Sequence, residues 1–241
     1  VVQYPDFFGR IRDLTGVADA VHARGALLAV ACNPIALGLL KPPGAFDADI
    51  ALGEGQPLGI PLSFGGPYLG FFACKEQYVR RMAGRLVGET VDLDGTRGYV
   101  LTLSTREQHI RRQRATSNIC TNQGLNVLAA ATYLAGMGRC GLSQVAKLCY
   151  HRAHYAAEAI SVLDGYTVDL SLPFFHEFVV GCPRPVREIN EILLDEYGII
   201  GGYDLARDYP ELENQMLVCV TEMNSADEID ALVQALEELG S

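Results

Sequence analysis

The amino-acid sequence predicts an α/β fold, and three observations carry that reading. The first 33 residues read strand, helix, strand: Val1-Val2-Gln3-Tyr4, an amphipathic stretch over 13–24, and an apolar run over 26–32. That order is a βαβ unit, which pairs its strands in parallel through a right-handed crossover. The run Ala26-Leu27-Leu28-Ala29-Val30-Ala31-Cys32 contains no polar residue, as expected of a parallel strand buried on both faces. The last hundred residues then read strand, helix, strand, helix, the rhythm of a second, smaller α/β unit. At 241 residues the chain can form one large domain or two modest ones.

Each element has its own local reason. Leu14, Val17, Ala18 and Val21 recur at helical spacing over 13–24, and Gly25 ends that helix. Residues 41–74 are dominated by breakers, from Pro42-Pro43-Gly44 to Gly65-Gly66-Pro67, with short strands over 48–52 and 69–73. A helix is predicted over 75–86, then a polar turn at Asp92, Asp94 and Gly95, then a strand over 99–103. Ser104 with Glu107, and Thr105 with Gln108, are overlapping capping boxes that predict a helix start. Helices follow over 122–137 and 142–163; the second places Val145, Leu148, Cys149, Ala156 and Ile160 on one broad face. Strands over 178–180 and 216–220 alternate with helices over 185–197 and 226–239, the last opened by the capping box Ser225 to Glu228. The change of rhythm divides the chain into 1–140 and 141–241.

Charge and cysteine usage exclude several function classes. Nineteen Lys and Arg against 29 Asp and Glu give a net charge of −10, so nucleic-acid binding would need a local basic island. The seven cysteines have an odd count and no CxxC or Cys/His ligand spacing. This argues against a zinc site and a disulfide framework, and for reduced thiols in a cytoplasmic protein. The uncharged stretches over 25–40, 55–74 and 115–138 are too short, too rich in Gly and Pro, or too polar to span a membrane. No signal peptide is expected, and the strand-like start without Met is expected of a piece of a longer protein.

Two segments could carry chemistry. The Gly-rich 53–70 permits close approach of backbone to a ligand, yet matches neither GxGxxG nor GxxxxGK[ST] and contains no lysine. It reads either as a tight loop packed beside a subunit or as a ligand-contacting loop. Arg106, His109, Arg111, Arg112 and Arg114 form a basic island suited to a carboxylate, a phosphate or an acidic partner, or else a solvated face. His22, His151, His154 and His176 stand alone. His151 and His154 share helical spacing, but no third ligand follows, so they read as surface or core histidines. No GxSxG motif is present, and nothing marks one cysteine as a nucleophile.

The block over 104–123, Ser-Thr-Arg-Glu-Gln-His-Ile-Arg-Arg-Gln-Arg-Ala-Thr-Ser-Asn-Ile-Cys-Thr-Asn-Gln, resembles the signature of glycine decarboxylase, the P protein of the glycine cleavage system. The resemblance extends through Gln3-Tyr4-Pro5-Asp6-Phe7-Phe8-Gly9, Leu39-Leu40-Lys41-Pro42-Pro43-Gly44 and the 53–70 loop, which looks most like the N-terminal-type subunit of the two-subunit bacterial enzyme. It implies a pyridoxal-phosphate-transferase fold of the aspartate aminotransferase kind (fold type I). Residues 1–140 would then be the second part of the large domain, and 141–241 a long linking helix with a small C-terminal α/β domain. It further implies a catalytic partner subunit that holds pyridoxal phosphate in a heterotetramer of two of each, and a carrier H protein bearing a lipoyl group.

The same resemblance puts Gln56 where the catalytic half has its Schiff-base lysine, and no Asp or Glu occurs from Gly25 to Phe46 to meet the pyridine nitrogen. A covalent anchor needs a primary amine, and an amide cannot supply one. No cofactor, metal or catalytic residue is therefore expected in this chain. Arg106, His109, Arg111, Arg112, Thr116 and Asn118, with Ser117, are expected to form a wall facing the partner's site or the lipoyl tunnel. Left open are a fused single-chain P protein, an independent pyridoxal-phosphate enzyme using Lys41 or Lys75, and a pure scaffold.

Overall fold

The computed structural model describes residues 1–118 and 123–240. Strand β1 (Val2–Tyr4), helix α1 (Val17–His22), strand β2 (Ala29–Cys32) and strand β3 (Ile50–Glu54) build the first sheet, and β4 (Gly70–Cys74) closes its edge. β1 and β3 both run parallel to β2, with Val2 opposite Val30 and Ala29 opposite Ile50; β4 is antiparallel to β3. Leu14, Ala18, Leu28, Val30 and Phe46 bury the face that α1 covers. The helix is shorter than its periodicity suggests because Gly16 enters it in a left-handed conformation.

The segment after β4 departs from the expected helix over 75–86. A 3₁₀ turn over Glu76–Arg81 is followed by a hairpin of β5 (Leu86–Val91) and β6 (Arg97–Thr102). Two local choices favour the hairpin. Val87, Thr90 and Val91 are β-branched, and Asp92 Oδ1 accepts from the N–H groups of Asp94 and Thr96, both at 2.9 Å. The expected helix start at 104 is also replaced, by a 3₁₀ turn, the single-turn α2 (Gln108–Arg111) and a second 3₁₀ turn. Leu103 and Arg112 have φ near +50°, which interrupts helix propagation on both sides, and the N-cap residues Leu103 and Glu107 make no side-chain cap hydrogen bond.

Helix α3 (Gly124–Ser161) joins the two expected helices through Gly138, whose φ of 58° and ψ of −173° break the helical run. Only its second half is well buried. Val145, Ala146, Cys149, Ala153, Ala156, Ala157 and Ile160 are small or compact enough to seat it against both the first sheet's loops and the second sheet. That second sheet contains β7 (Thr167–Val168), β8 (Glu177–Gly181), β9 (Tyr203–Asp204) and β10 (Gln215–Cys219), ordered β7-β8-β10-β9. The helices α4 (Val186–Tyr197) and α5 (Ala226–Gly240) pack on it around Phe178, Val180, Ile189, Met216 and Leu236. The capping box of α5 is complete: Ser225 N–H donates to Glu228 Oε2 at 2.6 Å, and Glu228 N–H to Ser225 Oγ at 3.2 Å.

The N-terminal segment ties the two sheets together. Ile11 N–H donates to the Pro173 carbonyl at 2.8 Å and Phe175 N–H to the Gly9 carbonyl at 3.0 Å. Gly9 has φ +79°, and a Cβ there would collide with the Glu177 carbonyl. Among the described residues no helix is long and apolar enough to cross a membrane.

Candidate functional site

Ligands of open α/β sheets bind beyond the carboxyl ends of the parallel strands, and a cleft of about 300 Å³ lies there. Gln3 and Pro5 come from the β1 end, Cys32 and Asn33 from the β2 end, Glu54 and Gln56 from the β3 end. Glu177 reaches it from β8. The Gly9 contact that joins the sheets therefore also sets Glu177 at the cleft.

The polar groups here largely hold one another. Glu54 Oε1 accepts from the N–H groups of Gln56 at 3.0 Å and Leu69 at 2.9 Å, closing the base of the Gly-rich loop. Gln56 Nε2 donates to the Ile60 carbonyl at 2.5 Å. Asn33 Oδ1 accepts from Ile35 N–H at 2.9 Å while its Nδ2 lies 3.1 Å from His176 Nε2. Burial pushes His176 down to about 4, so its ring is neutral at pH 7. Burial, with Asp6 adding like charge, pushes Glu177 up to about 7, and burial also raises the Cys32 thiol.

The lining thus offers two carboxylates, amides and a thiol, and none of its residues is Lys, Arg or His. Pyridoxal phosphate requires an amine for covalent attachment and is helped by cations at its phosphate. The residues of this cleft do not fit that group. The three lysines are placed elsewhere. Lys75 Nζ lies 2.7 Å from Asp47 Oδ1 and 3.1 Å from Asp49 Oδ1, Lys41 Nζ sits 4.2 Å from the Phe46 ring centroid, and Lys147 is exposed on α3. Asp49 is the buried centre of the first arrangement. Burial opposes its ionisation, but hydrogen bonds from His22, Leu28 N–H and Lys75 outweigh this and hold its carboxyl down to about 2.

The basic island separates into a buried arginine and an exposed surface. Arg106 is 8% exposed; its guanidinium donates to the carbonyls of Val79, Met82 and Gly84, and its Nε lies 3.5 Å from Glu107 Oε1. It fastens the turn before β5 and does not face solvent. His109, Arg111, Arg112, Arg114, Thr116 and Asn118 are exposed. Arg111 Nε donates to the Thr105 carbonyl at 3.1 Å and Asn118 Nδ2 to the Gln113 carbonyl at 3.3 Å, which orders this surface locally. The Ile119 to Asn122 part of the signature block lies outside the described residues. His154 is partly buried, stacked between Tyr150 and Phe174, both at 3.9 Å between centroids, and burial lowers its pKa. Sequence reasoning did not single out Asn33 or Glu177. Asn33 follows a parallel strand directly, which is a usable signal; Glu177 reaches the cleft only through the packing of one sheet on the other.

Residues 1–236 match the family described as Glycine cleavage system P-protein. A relative from Thermomicrobium roseum, named probable glycine dehydrogenase (decarboxylating) subunit 1, is 58% identical over 238 residues, covering 99% of this chain and 53% of the relative. A relative of the same name from Bacillus cereus is 52% identical over 236 residues, 98% of this chain and 52% of the relative. The chain spans about half the length of these relatives. A crystal structure of glycine decarboxylase (P-protein) of the glycine cleavage system, in inhibitor-bound form, superposes with a TM-score of 0.92 at 44% identity, over 99% of this chain and 54% of that one. A cysteine desulfurase from Escherichia coli matches with a TM-score of 0.66 at 17% identity, over 98% of this chain and 58% of that one, a likeness of fold alone. The fold is that of the fold type I pyridoxal-phosphate transferases, and the chain belongs to the glycine cleavage system P-protein family.

Proposed function

We propose that this chain is part of the cofactor-free subunit of a glycine dehydrogenase (decarboxylating), an oxidoreductase of two subunit types acting in the cytoplasm as a heterotetramer. The partner subunit holds pyridoxal phosphate. The assembled enzyme decarboxylates glycine and passes the aminomethyl group to the lipoyl arm of an H protein. The observation that carries this reading is Gln56. It stands at the carboxyl end of β3, its amide engaged by the Ile60 carbonyl, in a cleft lined by two carboxylates and no amine. Such a lining has no amine to form an imine with an aldehyde and no cation to meet a phosphate, so the chemistry falls to the partner.

The exposed surface of His109, Arg111, Arg112, Arg114, Thr116 and Asn118 supports a role in contact rather than catalysis. Guanidinium groups on a chain of net charge −10 attract an acidic partner against the overall field. Arg106 stands apart from it as a structural residue.

The test is borohydride reduction of the assembled enzyme loaded with pyridoxal phosphate, followed by peptide mapping. All pyridoxyl label is expected on a lysine of the partner. Label on Lys41, Lys75 or Lys147 would overturn the reading. In the same complex, the double substitution Arg111→Ala with Arg112→Ala is expected to weaken assembly or turnover, and unchanged values for both would remove this surface from the proposal.

A further inference from the structure

Three chemically different side chains converge beside the cleft. Glu177 on β8 and Cys219 on β10 are direct cross-strand partners, so their side chains leave the sheet on one face. His176 precedes Glu177 and is held through its Nε2 by Asn33. One ligand atom from each of His176, Glu177 and Cys219 lies within 4.8 Å of the other two. His176 Nδ1 is buried without a hydrogen-bond partner, and Glu177 Oε2 stands 3.9 Å from it. This buried ring nitrogen faces a carboxylate and a thiol and makes no hydrogen bond to either.

We propose that His176 Nδ1, the Glu177 carboxylate and Cys219 Sγ form a site for a borderline-soft divalent cation, Zn²⁺ above others. The donor set decides the class. Imidazole and thiolate disfavour Mg²⁺ and Ca²⁺, which take oxygen, whereas one nitrogen, one oxygen and one sulfur with a free fourth position suit tetrahedral Zn²⁺. Zinc bond lengths place neighbouring ligand atoms roughly 3.3–3.6 Å apart, so the three must close by about 1 Å, within the reach of a side-chain adjustment.

The proton balance gives the site a distinctive signature. Asn33 Oδ1 is engaged by Ile35 N–H, so its Nδ2 donates to His176 Nε2, and the neutral ring carries its proton on Nδ1. Binding of Zn²⁺ takes the Nδ1 lone pair and moves the ring proton to Nε2, while Cys219 releases its thiol proton to solvent. Asn33 must then turn its oxygen to the ring and leave Ile35 N–H. An aspartate at 33 would serve both, one oxygen accepting from Nε2–H and the other from Ile35 N–H, as carboxylates do behind metal-bound histidines.

The experiment titrates the purified, chelator-stripped protein with Co²⁺ alone as a spectroscopic probe, then with Zn²⁺ as competitor. One equivalent of Co²⁺ is expected to bind with a thiolate-to-cobalt charge-transfer band that Zn²⁺ removes. Cys219→Ser, at an exposed position, should abolish the band, and Cys140→Ser, an exposed thiol on α3, should leave it intact. Asn33→Asp should tighten binding by ~10-fold or more, a gain that disappears when His176→Gln is added. Absence of the band, its survival in Cys219→Ser, or no tightening in Asn33→Asp would overturn the site.

Discussion

Gln56 Nε2 and the Ile60 carbonyl oxygen are 2.5 Å apart, so this amide side chain ties its own loop closed. Losing this partly buried hydrogen bond should cost about 1 kcal/mol. Gln56→Ala is expected to lower the unfolding free energy measured by urea denaturation by that amount, whereas Gln56→Lys, which retains a donor, should lose less. Equal stabilities for wild type and Gln56→Ala would remove the loop-closing role.

Arg106 is a second place where identity and exposure diverge from the sequence pattern. Its charged fork satisfies three carbonyls in a site only 8% exposed. Arg106→Ala should destabilise the protein by about 3 kcal/mol, and Arg106→Lys should rescue little, because an ammonium cannot reproduce the planar fork. Arg111→Ala and Arg114→Ala, by contrast, should change stability by less than about 0.5 kcal/mol. Chemical denaturation of the four variants checks the contrast.

Asp49 makes the folded state acid-sensitive. Its carboxyl is held down to about 2 from an ordinary 3.8, so the folded state binds its proton less readily than the unfolded chain. That contribution, about 2 kcal/mol, is complete above the unfolded value and is lost as pH falls through the interval between 3.8 and about 2. Urea unfolding at a series of acidic pH values should show this loss in the wild type. Asp49→Asn should start less stable at pH 7 and lose less over the same interval.

Gly9 is required by contact and by conformation together. With φ +79° and the Glu177 carbonyl where a Cβ would stand, Gly9→Ala should cost about 3 kcal/mol or more and loosen the junction between the sheets. Thermal unfolding measures the cost. Faster amide exchange at Ile11 and Phe175, whose N–H groups bridge the sheets, would locate it.

Much of the fold was legible from period and punctuation. The apolar run ending at Cys32 became β2, the broad apolar face over 142–163 became the buried half of α3 except at Leu148, which is exposed, and Ser225 with Glu228 formed the cap they spelled. The failures lie where local signals competed. Over 75–86 the expected α-helix is a 3₁₀ turn over Glu76–Arg81 that ends before β5, and at 104 left-handed residues at 103 and 112 cut the expected helix to a single turn. Both segments bury little, so no core face was present to enforce the period.

By itself the sequence determined the family, the α/β class and the amide at position 56, because these depend on residue identity and short-range spacing. Only the tertiary structure decided that Arg106 turns inward while its neighbours face water. It alone brings Glu177 from the second sheet to the cleft of the first, and His176, Glu177 and Cys219 to one place. Those relations cross between strands more than 40 residues apart in the chain, as between Glu177 and Cys219. Cross-strand register and sheet-on-sheet packing fix them, and neither leaves a periodic trace in the sequence.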